Sequence, residues 1–178
     1  MPSFVAMLRG INVGGKHRVP MAELRELCAG LGWTDVRSYI QSGNVVFRAE
    51  GAELDLARTL SAALQTRFGF PVPVVVRSAA GMHAAIDRCP FPAADLPHTA
   101  LHAVFLSAVP APAAVAKLDP NRSPPEVFQV VEDVFYIHAP NGVAESKLTV
   151  DWIERQLGGI ATARNWRTVT LLAEMAAG

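Results

Sequence analysis

Phe4-Val5-Ala6-Met7-Leu8-Arg9-Gly10-Ile11-Asn12-Val13-Gly14-Gly15-Lys16-His17-Arg18-Val19-Pro20 decides how the rest of the chain is read. Phe4 to Leu8 is a short apolar run of the kind that forms a buried strand. Pro20-Met21-Ala22-Glu23-Leu24 reads as a helix start, with Pro20 suited to a first helical position. Between them three glycines and four basic side chains share a strand-to-helix corner. Glycine admits positive φ and bares backbone N–H groups, and cations around such groups favour an anion.

Beyond the corner, Met21, Leu24, Leu27, Cys28 and Leu31 recur at helical spacing, and Gly30 and Gly32 end the pattern. Val36 to Gln41 alternates like a half-buried strand. Ser42-Gly43-Asn44 reads as a tight turn, and Val45 to Phe47 returns as the partner strand. Leu54, Ala57, Leu60, Leu64 and Phe68 mark a second helix. Val72 to Val76 gives a fourth strand, which Pro73 places at an edge or makes begin late. The order βαββαβ predicts a ferredoxin-like N-terminal half, residues 1–89, in an α+β protein. A short helix over 80–87 follows.

Three prolines between Cys89 and Pro97 predict a linker over 90–100. The second domain, 101–178, is expected to repeat the plan more loosely. Leu101 to Leu106 is a strand and Ala111 to Leu118 a short helix. Val127–Val131 and Val134–His138 flank the hairpin signal Glu132-Asp133, and Leu148–Leu157 is a helix with Thr149 as a candidate N-cap. In place of a fourth strand, Trp166, Val169, Leu172, Ala173 and Ala176 predict a closing helix. The second half is therefore read as βαββα plus a C-terminal helix, and equivalent strand orders in the two halves would be consistent with an internal duplication.

The chain has 178 residues, 51% of them hydrophobic, enough for a core of this size. Its formal net charge is +0, so any attraction to nucleic acid has to come from a local patch. Cys28 and Cys89 supply no zinc or disulfide pattern, and His98 and His102 are not set on a helix, so no metal site is expected. No run is apolar enough to span a membrane, and Met1 leads straight into a strand, from which a cytoplasmic location is expected.

Four clusters carry candidate chemistry. Gly10 to Lys16 nearly matches the phosphate-cradling P-loop, but His17 replaces the magnesium-binding hydroxyl and the helix begins about a turn late. Its candidates for an anion are Arg9, Asn12, Gly14, Gly15, Lys16 and Arg18. Gln41, Ser42 and Asn44 crowd the hairpin tip, where Ser42 and Asn44 suit turn chemistry and Gln41 has a side-chain amide to offer a ligand. Ser146 is a possible cap for the following helix, and Lys147 beside it opposes the helix dipole unless an anion binds there. Arg164, Asn165 and Arg167 bracket Trp166. Read as one helix, the two arginines share a face and fork onto phosphate or carboxylate.

These stretches resemble a known family. Leu8 to Lys16, Met21 to Arg25, Tyr39 to Phe47, Ser146-Lys147-Leu148 and Ala161 to Val169 are similar to the bacterial family called domain of unknown function 1697. The likeness runs in order along essentially the whole chain; His17 stands where that family often has Asn. It implies a cytoplasmic bacterial α+β protein with a ferredoxin-like first half. It brings no activity, catalytic residue or cofactor.

The expectation that follows is a binding module for a phosphate-bearing ligand, a nucleotide or short nucleic acid, held in a cleft between the halves. Two rivals stand beside it. One is an enzyme acting on a small anionic substrate, although the only acids near the clusters, Glu23 and Asp151, suit helix starts. The other is a structural or oligomerising protein whose polar motifs satisfy one another, which a buried Arg164 or Asn165 bonded to backbone carbonyls would favour.

Overall fold

The computed structural model describes residues 1–178 as a mixed α+β chain with two four-stranded antiparallel sheets and six α-helices. Two compact units account for it: Met1–His83 together with Leu171–Gly178, and Ala84–Thr170.

The first unit holds β1 (Ser3–Leu8), α1 (Met21–Gly30), β2 (Thr34–Tyr39), β3 (Asn44–Arg48), α2 (Glu53–Phe68) and β4 (Val74–Ser78). Its sheet runs β2-β3-β1-β4. Pro73 acts as expected twice over: β4 begins just after it, and β4 is an edge. Leu24 and Cys28 of α1 and Leu56, Leu60 and Leu64 of α2 bury one helical stripe each against Phe4, Ala6, Val45, Phe47 and Val76. Trp33 stacks on Phe47 with ring centroids 3.9 Å apart. Burial pushes the Cys28 thiol up to about 12, as suits a core thiol. Pro20 is the residue before α1 rather than its first, and no side chain caps this helix.

The second unit holds β5 (Leu101–Leu106), α4 (Pro112–Ala116), β6 (Val127–Val131), β7 (Val134–His138), α5 (Val150–Leu157) and β8 (Ala161–Asn165), with sheet order β6-β7-β5-β8. Thr149 caps α5 by accepting from the Trp152 N–H at 3.2 Å. Phe135 and Trp152 meet edge to face at 6.5 Å in a core with Val104, Leu106 and Ile153. Two helices cross the unit bounds: α3 (Ala79–Asp87) and α6 (Trp166–Ala177).

Two expectations change. Residues 161–165 form a fourth strand, β8, paired with β5 from His102–Asn165 to Leu106–Ala161. Within Ala-Thr-Ala-Arg-Asn only Thr162 is of the branched or aromatic kind that announces a strand, and pairing to β5 overrides that weak local preference. The Pro-rich stretch, which holds one 3-10 turn at Ala93–Asp95, lies inside the second unit, not at a boundary.

With β8 in place, each half follows the same succession of strands and helices, and the two strand orders are equivalent. The likeness reaches single residues. Arg77 pairs with the third residue of β1, Val5, and Arg164 with the third of β5, Ala103. Both arginines are buried, and each donates from Nη1 to the carbonyl of the residue before it, at 3.0 Å to Val76 and 2.8 Å to Ala163. The next residue caps the following helix in both: the Gly81 N–H donates to Ser78 Oγ at 3.0 Å, and the Thr168 N–H to Asn165 Oδ1 at 2.9 Å.

Candidate functional site

The loop from Arg9 to Arg18 is a miniature hairpin. The Asn12 N–H donates to His17 O at 3.0 Å and the Lys16 N–H to Val13 O at 3.1 Å. Gly14 and Gly15 sit between them at φ 61° and 73°, the pair of left-handed residues that a tight primed turn requires. Ile11 and Val19 are buried and root the hairpin, while Val13, Gly14, Gly15, Lys16, His17 and Arg18 are exposed. His17 stacks on Phe70 at 4.4 Å. This is no P-loop: two loop N–H groups are spent inside the hairpin, and Pro20, which has no N–H, stands before the helix.

Asn12 ties this hairpin to the turn after β2. Its Nδ2 donates to Gln41 O at 2.8 Å and to Val19 O at 2.9 Å, and its Oδ1 accepts from the Val19 N–H at 2.8 Å. The Leu8 N–H donates to Gly43 O at 2.9 Å. Gly43 must be glycine: its φ is 89°, and a Cβ there would lie 2.7 Å from Ile11 Cδ1 and 2.9 Å from Leu8 Cβ. The structure thus brings the first two sequence clusters together within one unit. Gln41 and Ser42 are exposed on the turn. Asn44 is not at the tip: it opens β3, is fully buried, and donates to Tyr39 O at 3.0 Å and Ser42 Oγ at 3.2 Å, so no ligand in solvent reaches it.

Charge in this loop pair has one sign. Residues 9–18 carry Arg9, Lys16 and Arg18, and neither 9–18 nor 36–48 contains an acid. Lys16 and Arg18 form no ion pair, whereas Arg37, Arg48, Arg67 and Arg77 each lie within 4.0 Å of a carboxylate. Glu23, at the start of α1, pairs with Arg67 at 2.7 Å.

The other candidates belong to the second unit. Ser146 does not cap α5. Its hydroxyl donates to Glu126 Oε2 at 2.8 Å and accepts from the Leu148 N–H at 3.0 Å. The Lys147 N–H donates to Ser123 Oγ at 3.0 Å, and the Lys147 side chain is exposed. Ser123, Glu126, Asn141, Glu145 and Ser146 line a hollow here. Sequence reading missed Glu126 and Ser123, because nothing local marks residues twenty positions away as neighbours of Ser146.

Arg164 and Arg167 do not share a helical face, because β8 ends between them. Arg164 is buried in the strand and donates from Nη1 to Thr162 Oγ1 and Ala163 O, each at 2.8 Å. Burial brings its guanidinium down to about 10. Asn165 spends its side-chain oxygen on the α6 cap, and Trp166 is buried near Tyr136. Arg167 alone of this cluster is exposed. No helix is long and apolar enough to cross a membrane.

The model of a family described as protein of unknown function (DUF1697) matches residues 1–136. No curated protein matches the chain. Among solved structures, that of conserved bacterial protein SP0830 from Streptococcus pneumoniae is similar with a TM-score of 0.76 at 22% identity, covering 100% of this chain and 99% of that one. At that identity the likeness speaks for the fold alone. The chain belongs to the DUF1697 family.

Proposed function

We propose that this DUF1697 protein binds a phosphate-bearing ligand, a nucleotide or a short nucleic-acid segment, on the paired loops of its first unit. The observation that carries this reading is the one-signed charge of a braced, exposed hairpin in a chain whose net charge is +0. Lys16 and Arg18 stand in solvent without acidic partners, and Gln41 and Ser42 lie on the turn that Asn12 tethers beside them. An exposed basic loop suits a phosphodiester backbone, which is bound by point charges.

The test is thermal stabilisation by inorganic phosphate, mononucleotides and short single strands. A ligand at 100 times its Kd adds about 2.7 kcal/mol to stability. A charge-driven ligand should lose most of that shift in Lys16→Ala/Arg18→Ala, and the shift should shrink as salt rises. No shift from any of these anions removes the reading.

A second reading, a structural or oligomerising protein with self-satisfied polar motifs, draws support from the second unit. There Arg164 and Asn165 are both engaged with backbone groups.

A further inference from the structure

The two sheets end on different kinds of edge. In the first unit the outer strand β2 is guarded: its pairing with β3 is bulged between Thr34 and Arg37, Asp35 sits at φ 51°, and Asp35 pairs with Arg37 and Arg48. Bulges and charges of this kind stop a sheet edge from recruiting another strand. In the second unit the outer strand β6, Val127-Phe128-Gln129-Val130-Val131, has no charge and no proline, and it pairs with β7 through five unbroken positions.

The backbone parity of β6 follows from its neighbours. The Leu106 N–H donates to Asp133 O and the Ala139 N–H to Ala100 O, so residues 133, 135, 137 and 139 turn toward β5. Val134, Tyr136 and His138 therefore turn toward β6, where they face Val131, Gln129 and Val127. Phe128 and Val130 are left with N–H and C=O directed outward, on the side where the strand order ends.

A hollow flanks each end of this edge. At the start of β6 the hollow of Ser123, Asn141 and Ser146 carries Glu126 and Glu145 and no cation. At its end, Val130 and Glu132 with Pro112, Val115 and Ala116 of α4 line a mostly apolar hollow whose single charged side chain is Glu132.

We propose that the β6 edge is a docking site for an extended peptide segment of another protein, added as a fifth strand. Its residues opposite Phe128 and Val130 project to the same face as those side chains, toward the apolar hollow, and are therefore apolar. Its end residues approach Glu126, just before β6, and Glu132, in the turn just after it, and are therefore basic. A second copy of this chain fits worse. Pairing Phe128 with a copy's Val130 in antiparallel register brings Glu126, just before one strand, toward Glu132, in the turn just after the other, and like charges there repel.

A labelled Lys-Thr-Val-Thr-Val-Thr-Lys peptide is the probe, read by fluorescence anisotropy. Saturable binding is expected, weakened about tenfold or more when both Val amides are N-methylated, since those donate to the edge. N-methylation of the central Thr, whose amide faces away, should change affinity less than about twofold. Exchanging both Lys for Glu should weaken binding by about tenfold or more. Val130→Pro deletes an outward donor without touching the β6–β7 ladder and should abolish binding while β7 amides keep their exchange protection. If that variant fails to fold, the N-methyl contrast on the native protein decides. Equal tolerance of methylation at both positions overturns the proposal, as does absence of saturable binding at about 1 mM peptide. A concentration-dependent dimer lost in Val130→Pro would assign the edge to a second copy and overturn it as well.

Discussion

His102 shows how a single side chain can set a pH limit. It lies in β5, and its Nδ1 is buried with no hydrogen-bond partner. Burial lowers its pKa from the ordinary histidine value of 6.5, because charging the ring in that place is unfavourable. In the unfolded chain the same ring takes its proton near pH 6.5. As pH falls through that value the unfolded state binds the extra proton first, so stability is full above it and is lost below it. Melting temperature should therefore drop between about pH 7 and pH 5, and His102→Phe should flatten part of the drop. An unchanged slope in the variant would place the titration elsewhere. Gly43 is the second single-residue test. Gly43→Ala forces a Cβ toward Ile11 and Leu8 at a left-handed φ and should cost about 1–3 kcal/mol in denaturant unfolding. Cost near zero would mean the turn can move.

At the scale of elements, the loop pair depends on Asn12. Three hydrogen bonds converge on its side chain, and its own φ of 55° suits Asn better than most residues. Asn12→Ala should cost about 2–3 kcal/mol from the unpaired Val19 and Gln41 groups and the strained backbone. Asn12→Gly should recover only the strain. If the hairpin is bound to its neighbour through this side chain, amide exchange in the 39–44 turn quickens in both variants; exchange unaltered there would show the turn holds itself. Elements whose signal is local were legible in the sequence. The β6–β7 hairpin appears with the expected ends, because a two-residue Glu-Asp turn between branched and aromatic residues is written in adjacent positions. Thr149 was legible as a cap for the same reason. What could not be read was set by distance. β8 is a strand because β5 pairs with it, and that pairing separates Arg164 from Arg167. Asn44 looked like a tip residue because the turn begins at Ile40, two residues earlier than its polar letters suggest.

At the scale of the molecule, the equivalence of the halves rests on more than strand order. A buried arginine in the fourth strand, followed by a polar cap on the next helix, recurs at matched register with scarcely any shared sequence around it. Conversely, the division into units ignores chain order. Leu171–Gly178 belongs with residues 1–83, not with the segment that precedes it, and nothing in a linear reading announces such a return. Leu172, Ala173 and Ala176 are buried, and Arg37 Nη2 donates to Met175 O at 2.9 Å, joining the guarded edge strand β2 to the tail. Loss of the tail therefore strips the first unit of apolar cover and of a charge-assisted hydrogen bond. Burial of one leucine side chain is worth about 1.5–3 kcal/mol and such a bond about 1.5–3 kcal/mol, so removing residues 171–178 should cost about 3 kcal/mol or more. The loss should be uneven. Amides of β1 to β4 should exchange faster by a larger factor than those of β5 to β8, because the second unit's own core of Val104, Phe135, Trp152 and Ile153 is untouched by the deletion. Equal acceleration in both sheets would mean that the two units open together, and the tail's membership in the first would have no energetic content.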